Sequence, residues 1–144
     1  MKIYLDNCCF NRPFDDQSQI KIKLESEAKL FIQAEIYSKQ IDLAWSYILD
    51  YENDCNPFDE RRDSIKRWKK YAVVDIEETK WIIDKAGEIM NFGVKSKDAL
   101  HVACAVASKC DYFLTTDKRL INKLKNFEEI VVINPLNFIS LKEE

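Results

Sequence analysis

The stretch KSKDALHVACAVASKCDYFLTTDKRL, residues 95–120, predicts a buried helix followed by a short strand. Its centre, DALHVACAVA, is apolar nearly all round and built of small residues, so a helix over 97–109 would be buried and would pack closely against a flat surface. Ser96 is expected to cap this helix. YFLTT, at 112–116, has the aromatic and β-branched residues that favour a strand.

Short strands and helices alternate outward from this stretch. Strand-like runs lie at 2–5, 41–45, 71–76, 112–116 and 130–133. Helical patterns cover 18–40, 58–70, 77–91 and 118–125, and another helix starts after Ser46, its expected N-cap, and ends near 56. The segment NRPFDDQSQ (11–19) is predicted to be a polar loop. This alternation predicts an α/β fold with a parallel sheet covered on both faces, and we expect a single domain over 1–144.

Composition excludes several classes of protein. The 22 basic and 25 acidic residues give a net charge of -3, so bulk charge does not indicate nucleic-acid binding, which would need local clustering. The odd number of cysteines, 5, does not suggest a disulfide framework. No apolar run suits a membrane span or a signal peptide. We therefore expect a cytoplasmic protein with no membrane contact.

Four carboxylates fall where a parallel sheet would gather them. Asp6 directly follows the first strand, and Asp117 follows the YFLTT strand. Asp98 lies in the first turn of the 97–109 helix, and Glu52 lies on the helix after the second strand. Ligands of open α/β sheets bind beyond the carboxyl ends of the strands. Each residue alone could be a turn former or a helix cap, but together they suggest a site.

Clustered carboxylates without basic partners repel one another unless cations neutralise them. Oxygen ligands of this kind suit Mg²⁺ or Mn²⁺. Such metals polarise a phosphate, lower the pKa of a bound water and stabilise the leaving oxygen. The sequence therefore suggests the hydrolysis of phosphodiester bonds.

Three segments resemble those of PIN domains, the family of VapC-like ribonucleases. KIYLDNCC (2–9) ends its strand at an aspartate, and SYILDYE (46–52) has a serine six residues before a glutamate. Residues 95–120 have the third block of the family, in which an aspartate opens a small-residue helix and Thr-x-Asp follows the next strand. The resemblance extends from Met1 to about Ile133.

This resemblance implies a three-layer α/β/α sandwich around a central, mainly parallel sheet of 4–5 short strands. It also implies a metal-dependent endoribonuclease acting on single-stranded RNA, for which a toxin role with a small antitoxin and a homodimeric state are expected. Asp6, Glu52, Asp98 and Asp117 would bind the metal, and Thr115 would orient the last aspartate or a water on the metal. After the first aspartate the family usually has threonine or serine, where this chain has Asn7 and Cys8.

Further residues are candidates for contact with RNA. The expected substrate-binding residues adjoin the carboxylates and are Asn7, Arg12, Lys95, Lys97, Lys118 and Arg119. RRDSIKRWKK (61–70) could bind an RNA backbone and stack a base on Trp68, but a solvated helix face with Trp68 in the core is preferred. His101, the only histidine, is interpreted as a packed or hydrogen-bonded helix residue.

Two questions remain open at the level of sequence. The first is whether the chain is an active ribonuclease or a catalytically silent PIN module that binds nucleic acid or a protein. All four carboxylates are present, which favours the enzyme, and no glycine-rich loop supports a nucleotide-binding domain. The second is whether Asp50 or Glu52 enters the site. On a helix these residues point about 200° apart, and Ile48 and Leu49 share the side of Glu52, so we expect Glu52 inside and Asp50 in solvent.

Overall fold

The computed structural model describes residues 1–143, which contain a five-stranded sheet whose neighbouring strands are all parallel. The strands are β1 (Lys2–Leu5), β2 (Asp42–Ser46), β3 (Val74–Ile76), β4 (Tyr112–Leu114) and β5 (Val131–Ile133). Their order across the sheet is β3-β2-β1-β4-β5. The predicted α/β class and parallel sheet are confirmed.

Helices connect the strands in turn. The α-helices are α1 (Asn7–Asn11), α2 (Ile20–Tyr37), α3 (Tyr47–Asp54), α4 (Asp59–Lys66), α5 (Lys80–Met90), α6 (Ser96–Ala107), α7 (Lys118–Lys123) and α8 (Pro135–Glu143). Two 3-10 helices lie at Arg12–Phe14 and Arg67–Tyr71. Between residues 1 and 143, none of the helices is both long and apolar enough to cross a membrane.

The helices cover both faces of the sheet. Successive residues of a strand point to opposite faces. The ring of Tyr112 packs on Phe138 of α8, whereas the ring of Phe113 stacks on Tyr4, which contacts His101 of α6. Helices α8 and α6 therefore lie on opposite sides, as expected for a three-layer sandwich.

Helix α6 is buried against the sheet as its small residues predict. Ala99, Val102 and Ala103 have no exposed surface. The helix begins one residue earlier than expected, because Lys95 occupies the N-cap position without a side-chain hydrogen bond. The prediction of a Ser96 cap was therefore wrong. The predicted Ser46 cap of α3 is confirmed by a hydrogen bond of 3.2 Å from the backbone N–H of Leu49.

Two segments differ from the sequence prediction. The predicted loop 11–19 includes a 3-10 helix. It is preceded by α1, a helix that was not predicted. Helix α1 begins after Asp6, whose side chain accepts a hydrogen bond from the backbone N–H of Asn7. The predicted helix 58–70 ends at Lys66, and the chain continues as a 3-10 helix. There Trp68 and Tyr71 pack on each other and on the core. Tyr71 therefore belongs to this 3-10 helix, and β3 has three residues where the sequence predicted a strand over 71–76.

Candidate active site

The predicted carboxylates all lie at the carboxyl edge of the sheet, and two of them, Asp6 and Glu52, form a close group there. Asp6 follows β1, Glu52 lies in α3, Asp98 lies in the first turn of α6, and Asp117 precedes α7. Carboxylate oxygens of Asp6 and Glu52 and a ring nitrogen of His101 all lie within 4.8 Å of one another. The fold thus brings together side chains that are far apart in sequence.

Asp6 is held by short hydrogen bonds from its surroundings. Its Oδ1 accepts from the backbone N–H of Asn7 at 2.8 Å, and its Oδ2 accepts from the hydroxyl of Thr115 at 2.9 Å. The thiol of Cys8 is 3.5 Å from the same Oδ2 and 3.4 Å from the Thr115 hydroxyl. Cys8, which stands in the segment where the family usually has threonine or serine, therefore contacts the carboxylate of Asp6.

Thr115 joins the first and last aspartates. Its hydroxyl donates to the carboxylate of Asp6 and accepts from the backbone N–H of Asp117 at 3.1 Å. The hydroxyl thus orients the carboxylate of Asp6, whereas the sequence prediction assigned it to the carboxylate of Asp117 or to a water on the metal. That carboxylate instead caps α7, with Oδ1 accepting from the backbone N–H groups of Arg119 and Leu120.

Glu52 is bound by two side chains of α6. His101 Nε2 lies 3.0 Å from its Oε1, and Lys97 Nζ lies 3.1 Å from its Oε2. Burial raises the pKa of Glu52, but the hydrogen bonds and charges of His101 and Lys97 outweigh burial and lower it overall. Glu52 is therefore an ionised carboxylate in this arrangement.

Asp50 points away from the cluster and is held elsewhere. Its Oδ1 accepts from the indole N–H of Trp45 at 2.9 Å, and its Oδ2 accepts from Lys69 at 3.0 Å. The structure thus brings Glu52, and not Asp50, to Asp6. Asp50 was expected in solvent, but these two partners leave it only partly exposed.

Asp98 has no hydrogen bond or ion pair to its carboxylate within residues 1–143. Burial raises its pKa, and the negative charges of Asp6, Asp117 and Glu52 raise it further. Burial, the largest cause, and the three neighbouring carboxylates thus act in the same direction on the pKa of Asp98. Such a cluster attracts cations.

A cleft of about 110 Å³ lies beside Asp98 and Asp117. Its charged lining combines these two carboxylates with the basic residues Lys95, Arg119 and Lys123. Lys95 and Arg119 were predicted to contact substrate, and Lys123 was not. Lys123 follows Arg119 by four residues on α7, so helical spacing could have identified it.

The other predicted substrate-binding residues lie in different surroundings. Lys97 pairs with Glu52, and Lys118 lines a separate shallow cavity with Thr116 and Asn134. Arg12 forms ion pairs with Asp15 and Glu25, and its expected role in binding phosphate stays a prediction.

The surroundings of Asn7 and of the basic segment 61–70 bear on two further candidates for contact with RNA. The side-chain Oδ1 of Asn7 is buried and has no hydrogen-bond partner among the described residues. Within 61–70, acidic residues pair with Arg61, Arg62 and Lys69, and Trp68 packs against the core. The preferred interpretation of Trp68 as a core residue therefore agrees with the structure.

The donor set fits a hard divalent cation. The cluster offers several carboxylate oxygens. Mg²⁺ and Mn²⁺ prefer such ligands. A ring nitrogen of His101 lies in the same group as Asp6 and Glu52, and sequence reasoning did not place it there.

Comparisons with known proteins agree with this geometry. A sequence model of the PIN domain family matches residues 3–126. A solved structure, described as VapBC2 from Rickettsia felis bound to a DNA fragment from their promoter, is similar in fold with a TM-score of 0.59. That chain is 15% identical, and the alignment covers 93% of this chain and 98% of the other. A comparison with curated proteins gives no match.

Proposed function

This chain belongs to the PIN domain family, and we propose that it is a divalent-metal-dependent endoribonuclease that hydrolyses phosphodiester bonds of single-stranded RNA. PIN domains are generally nucleases. The observation that carries the proposal is the cluster of Asp6, Glu52, Asp98 and Asp117, in which the pKa of Asp98 is raised by burial and by the other three charges. Repulsion among these carboxylates lowers the stability of the fold, and a bound cation would relieve it.

The four carboxylates would hold Mg²⁺ or Mn²⁺, and Thr115 would fix the orientation of Asp6 through its hydrogen bond. When bound, the metal supplies charge that stabilises a phosphate as its P–O bond breaks, and it lowers the pKa of a bound water. Lys95, Arg119 and Lys123 line the cleft beside Asp98 and Asp117, where they would attract the phosphates of a substrate.

A preference for single strands is supported by an exposed aromatic residue next to the cluster. Tyr51 precedes Glu52 on α3 and is 62% exposed. An unpaired base can stack on such a ring, whereas bases within a duplex are already stacked. The choice of RNA over DNA follows the resemblance to VapC-like ribonucleases.

We further propose that the protein is a cytoplasmic homodimeric toxin restrained by a small antitoxin. Its support is the likeness in fold to a chain of the VapBC2 structure from Rickettsia felis. A neighbouring gene for a small DNA-binding protein, whose product copurifies with this chain and blocks cleavage, would support the assignment. Unimpeded cleavage in the presence of that product would contradict it.

The activity is tested by incubating the purified chain with a mixed pool of RNA, with Mn²⁺, with Mg²⁺ or with EDTA. We expect fragments only in the presence of metal. Asp98→Asn should lower the rate more than about 100-fold, since changing a mere hydrogen-bond partner of a metal ligand typically costs about 10–100-fold. Equal cleavage by wild type and Asp98→Asn, or cleavage in EDTA, would contradict the mechanism. Intact RNA under every condition would favour a silent binding module.

A further inference from the structure

A buried chain of hydrogen bonds lies beneath the carboxylates. Ser46 Oγ is 2.6 Å from the hydroxyl of Tyr4, which is 2.6 Å from Nδ1 of His101. Nε2 of His101 is 3.0 Å from Oε1 of Glu52. Tyr4 and Ser46 have no exposed surface and His101 is 1% exposed, so solvent does not compete for these bonds.

We infer that this Ser46–Tyr4–His101 chain is a positioning device that holds the carboxylate of Glu52 where a divalent metal can use it. The inference rests on the proposed function, because it assigns Glu52 to a metal site. Ser46, Tyr4 and His101 would not touch the substrate. They would act through Glu52.

The donors and acceptors of these hydrogen bonds fit together. A carboxylate can only accept, so Nε2 of His101 carries a proton. In the neutral imidazole Nδ1 accepts from Tyr4 and the Tyr4 oxygen accepts from Ser46, whereas in the imidazolium Nδ1 donates to Tyr4, which donates to Ser46. The oxygen of Ser46 also accepts from the backbone N–H of Leu49. Every member of the chain is therefore satisfied.

The hydrogen bonds from Ser46 to Glu52 also connect the elements that carry the carboxylates. Tyr4 lies on β1 two residues before Asp6. Ser46 ends β2 and caps α3, which carries Glu52. His101 lies on α6 three residues after Asp98. One buried chain thus sets the relative positions of three elements whose carboxylates must converge within a few ångströms.

His101 is better placed to hold Glu52 than to bind metal itself. Metal ligation by Nε2 would require this nitrogen to lose the proton that it donates to Glu52. Ligation would also end the 3.0 Å hydrogen bond to Glu52. Lys97, four residues earlier on α6, holds the second oxygen of Glu52 but is 54% exposed. His101 is therefore the rigid partner of Glu52.

The test is the affinity of the full-length protein for Mn²⁺, measured by calorimetry without RNA. We expect His101→Leu to weaken binding by about 10–100-fold, the usual effect of losing a hydrogen-bond partner of a metal ligand. His101→Gln keeps an N–H donor for Glu52 and should recover part of this loss. Tyr4→Phe removes one hydroxyl and should weaken binding by about tenfold, near the lower end of that range. Tyr112→Phe, whose hydroxyl has no hydrogen bond within the described chain, should bind as the wild type does.

Separate outcomes distinguish the inference from the proposed function. Wild-type protein that binds no Mn²⁺ would contradict the proposed function itself. Wild-type affinity in folded Tyr4→Phe and His101→Leu would overturn the positioning role alone, and so would a His101→Gln affinity no better than that of His101→Leu. Electron spin-echo spectra of the Mn²⁺-loaded protein should show no directly bound nitrogen. A strong nitrogen coupling that is absent from His101→Gln would make His101 a ligand and contradict the inference.

Discussion

Asp98 illustrates how one side chain can serve function at the expense of stability. Burial and the charges of Asp6, Asp117 and Glu52 raise its pKa in the folded protein. Its ionised form is therefore disfavoured by folding, and this penalty is present above its folded pKa and absent below the ordinary aspartate value of about 3.9. We expect metal-free Asp98→Asn to melt at a higher temperature than wild type at pH 7. The difference should vanish near pH 3.

The exposed Asp84 of α5, which forms no ion pair within residues 1–143, provides the control for that measurement. Asp84→Asn should leave the melting temperature almost unchanged at both pH values. If Asp98→Asn melts below wild type at pH 7 in EDTA, the carboxylate stabilises the fold and the proposed repulsion is wrong.

Lys29 is a second side chain whose charge opposes folding. It is 4% exposed, its ammonium lies 5.4 Å from the centre of the Phe10 ring, and it has no ion pair among the described residues. Burial lowers its pKa to about 7. The folded pKa lies below the unfolded value of about 10.4, so stability should rise as pH increases between the two.

Lys29→Met should therefore stabilise the protein most near pH 6, where the buried lysine is charged. The gain could reach about 5 kcal/mol, at about 1.4 kcal/mol for each unit of pKa difference. It should shrink as the pH approaches 10. Chemical denaturation at both pH values checks this, with Lys23→Met on the exposed side of α2 as the control. An equal gain at pH 6 and pH 10 would show that packing, and not charge, is responsible.

At the scale of elements, Phe138 anchors α8 to the core. Phe138 is 1% exposed and packs edge-on against Tyr112 of β4, with ring centres 5.2 Å apart. Phe138→Ala should cost about 3–5 kcal/mol of unfolding free energy, as is usual for a buried phenylalanine. Leu141→Ala, at an exposed position of the same helix, should cost little. A small effect of Phe138→Ala in urea unfolding would mean that α8 is not part of the core.

The elements that could be predicted are those whose sequence pattern lies within the element itself. The small residues of 97–107 fix a buried helix, and the apolar side of 46–54 places Glu52 inward without any tertiary information. Helix α1 was not predicted because its five residues are too few to show a repeating helical pattern of apolar side chains. His101 was correctly interpreted as a packed or hydrogen-bonded helix residue, but its partners Tyr4 and Glu52 could not be predicted because they lie 97 and 49 residues away in sequence. The ion pair of Arg12 with Glu25 was not predicted either, since Glu25 is on another helix.

For the whole molecule, self-association is the property most open to direct test. The apolar C-terminal stretch 133–141 packs on this chain through Phe138. Exposed apolar residues instead form a stripe on α2, comprising Ile20, Leu24 and Phe31. At spacings of four and seven residues they share one face of the helix. This stripe is the better candidate for the interface of the proposed homodimer.

Sedimentation velocity should therefore show a species of twice the 17.0 kDa chain mass. Phe31→Glu should convert it to the monomer, because a charge would be buried in an apolar interface. Ile83→Glu changes an exposed residue of α5 and should leave the dimer intact. A wild-type sample that remains monomeric at high concentration would contradict the homodimer.

The most direct test of a metal-dependent carboxylate site compares two acidic residues that are two positions apart. Glu52 faces Asp6, whereas Asp50 is bound by Trp45 and Lys69 outside the cluster. The measurement is the rate of Mn²⁺-dependent RNA cleavage by Glu52→Gln and Asp50→Asn, after circular dichroism shows both to be folded. Glu52→Gln should be slower than wild type by more than about 100-fold, and Asp50→Asn should stay within about threefold. Full activity in Glu52→Gln, or an equal loss in both variants, would contradict the site.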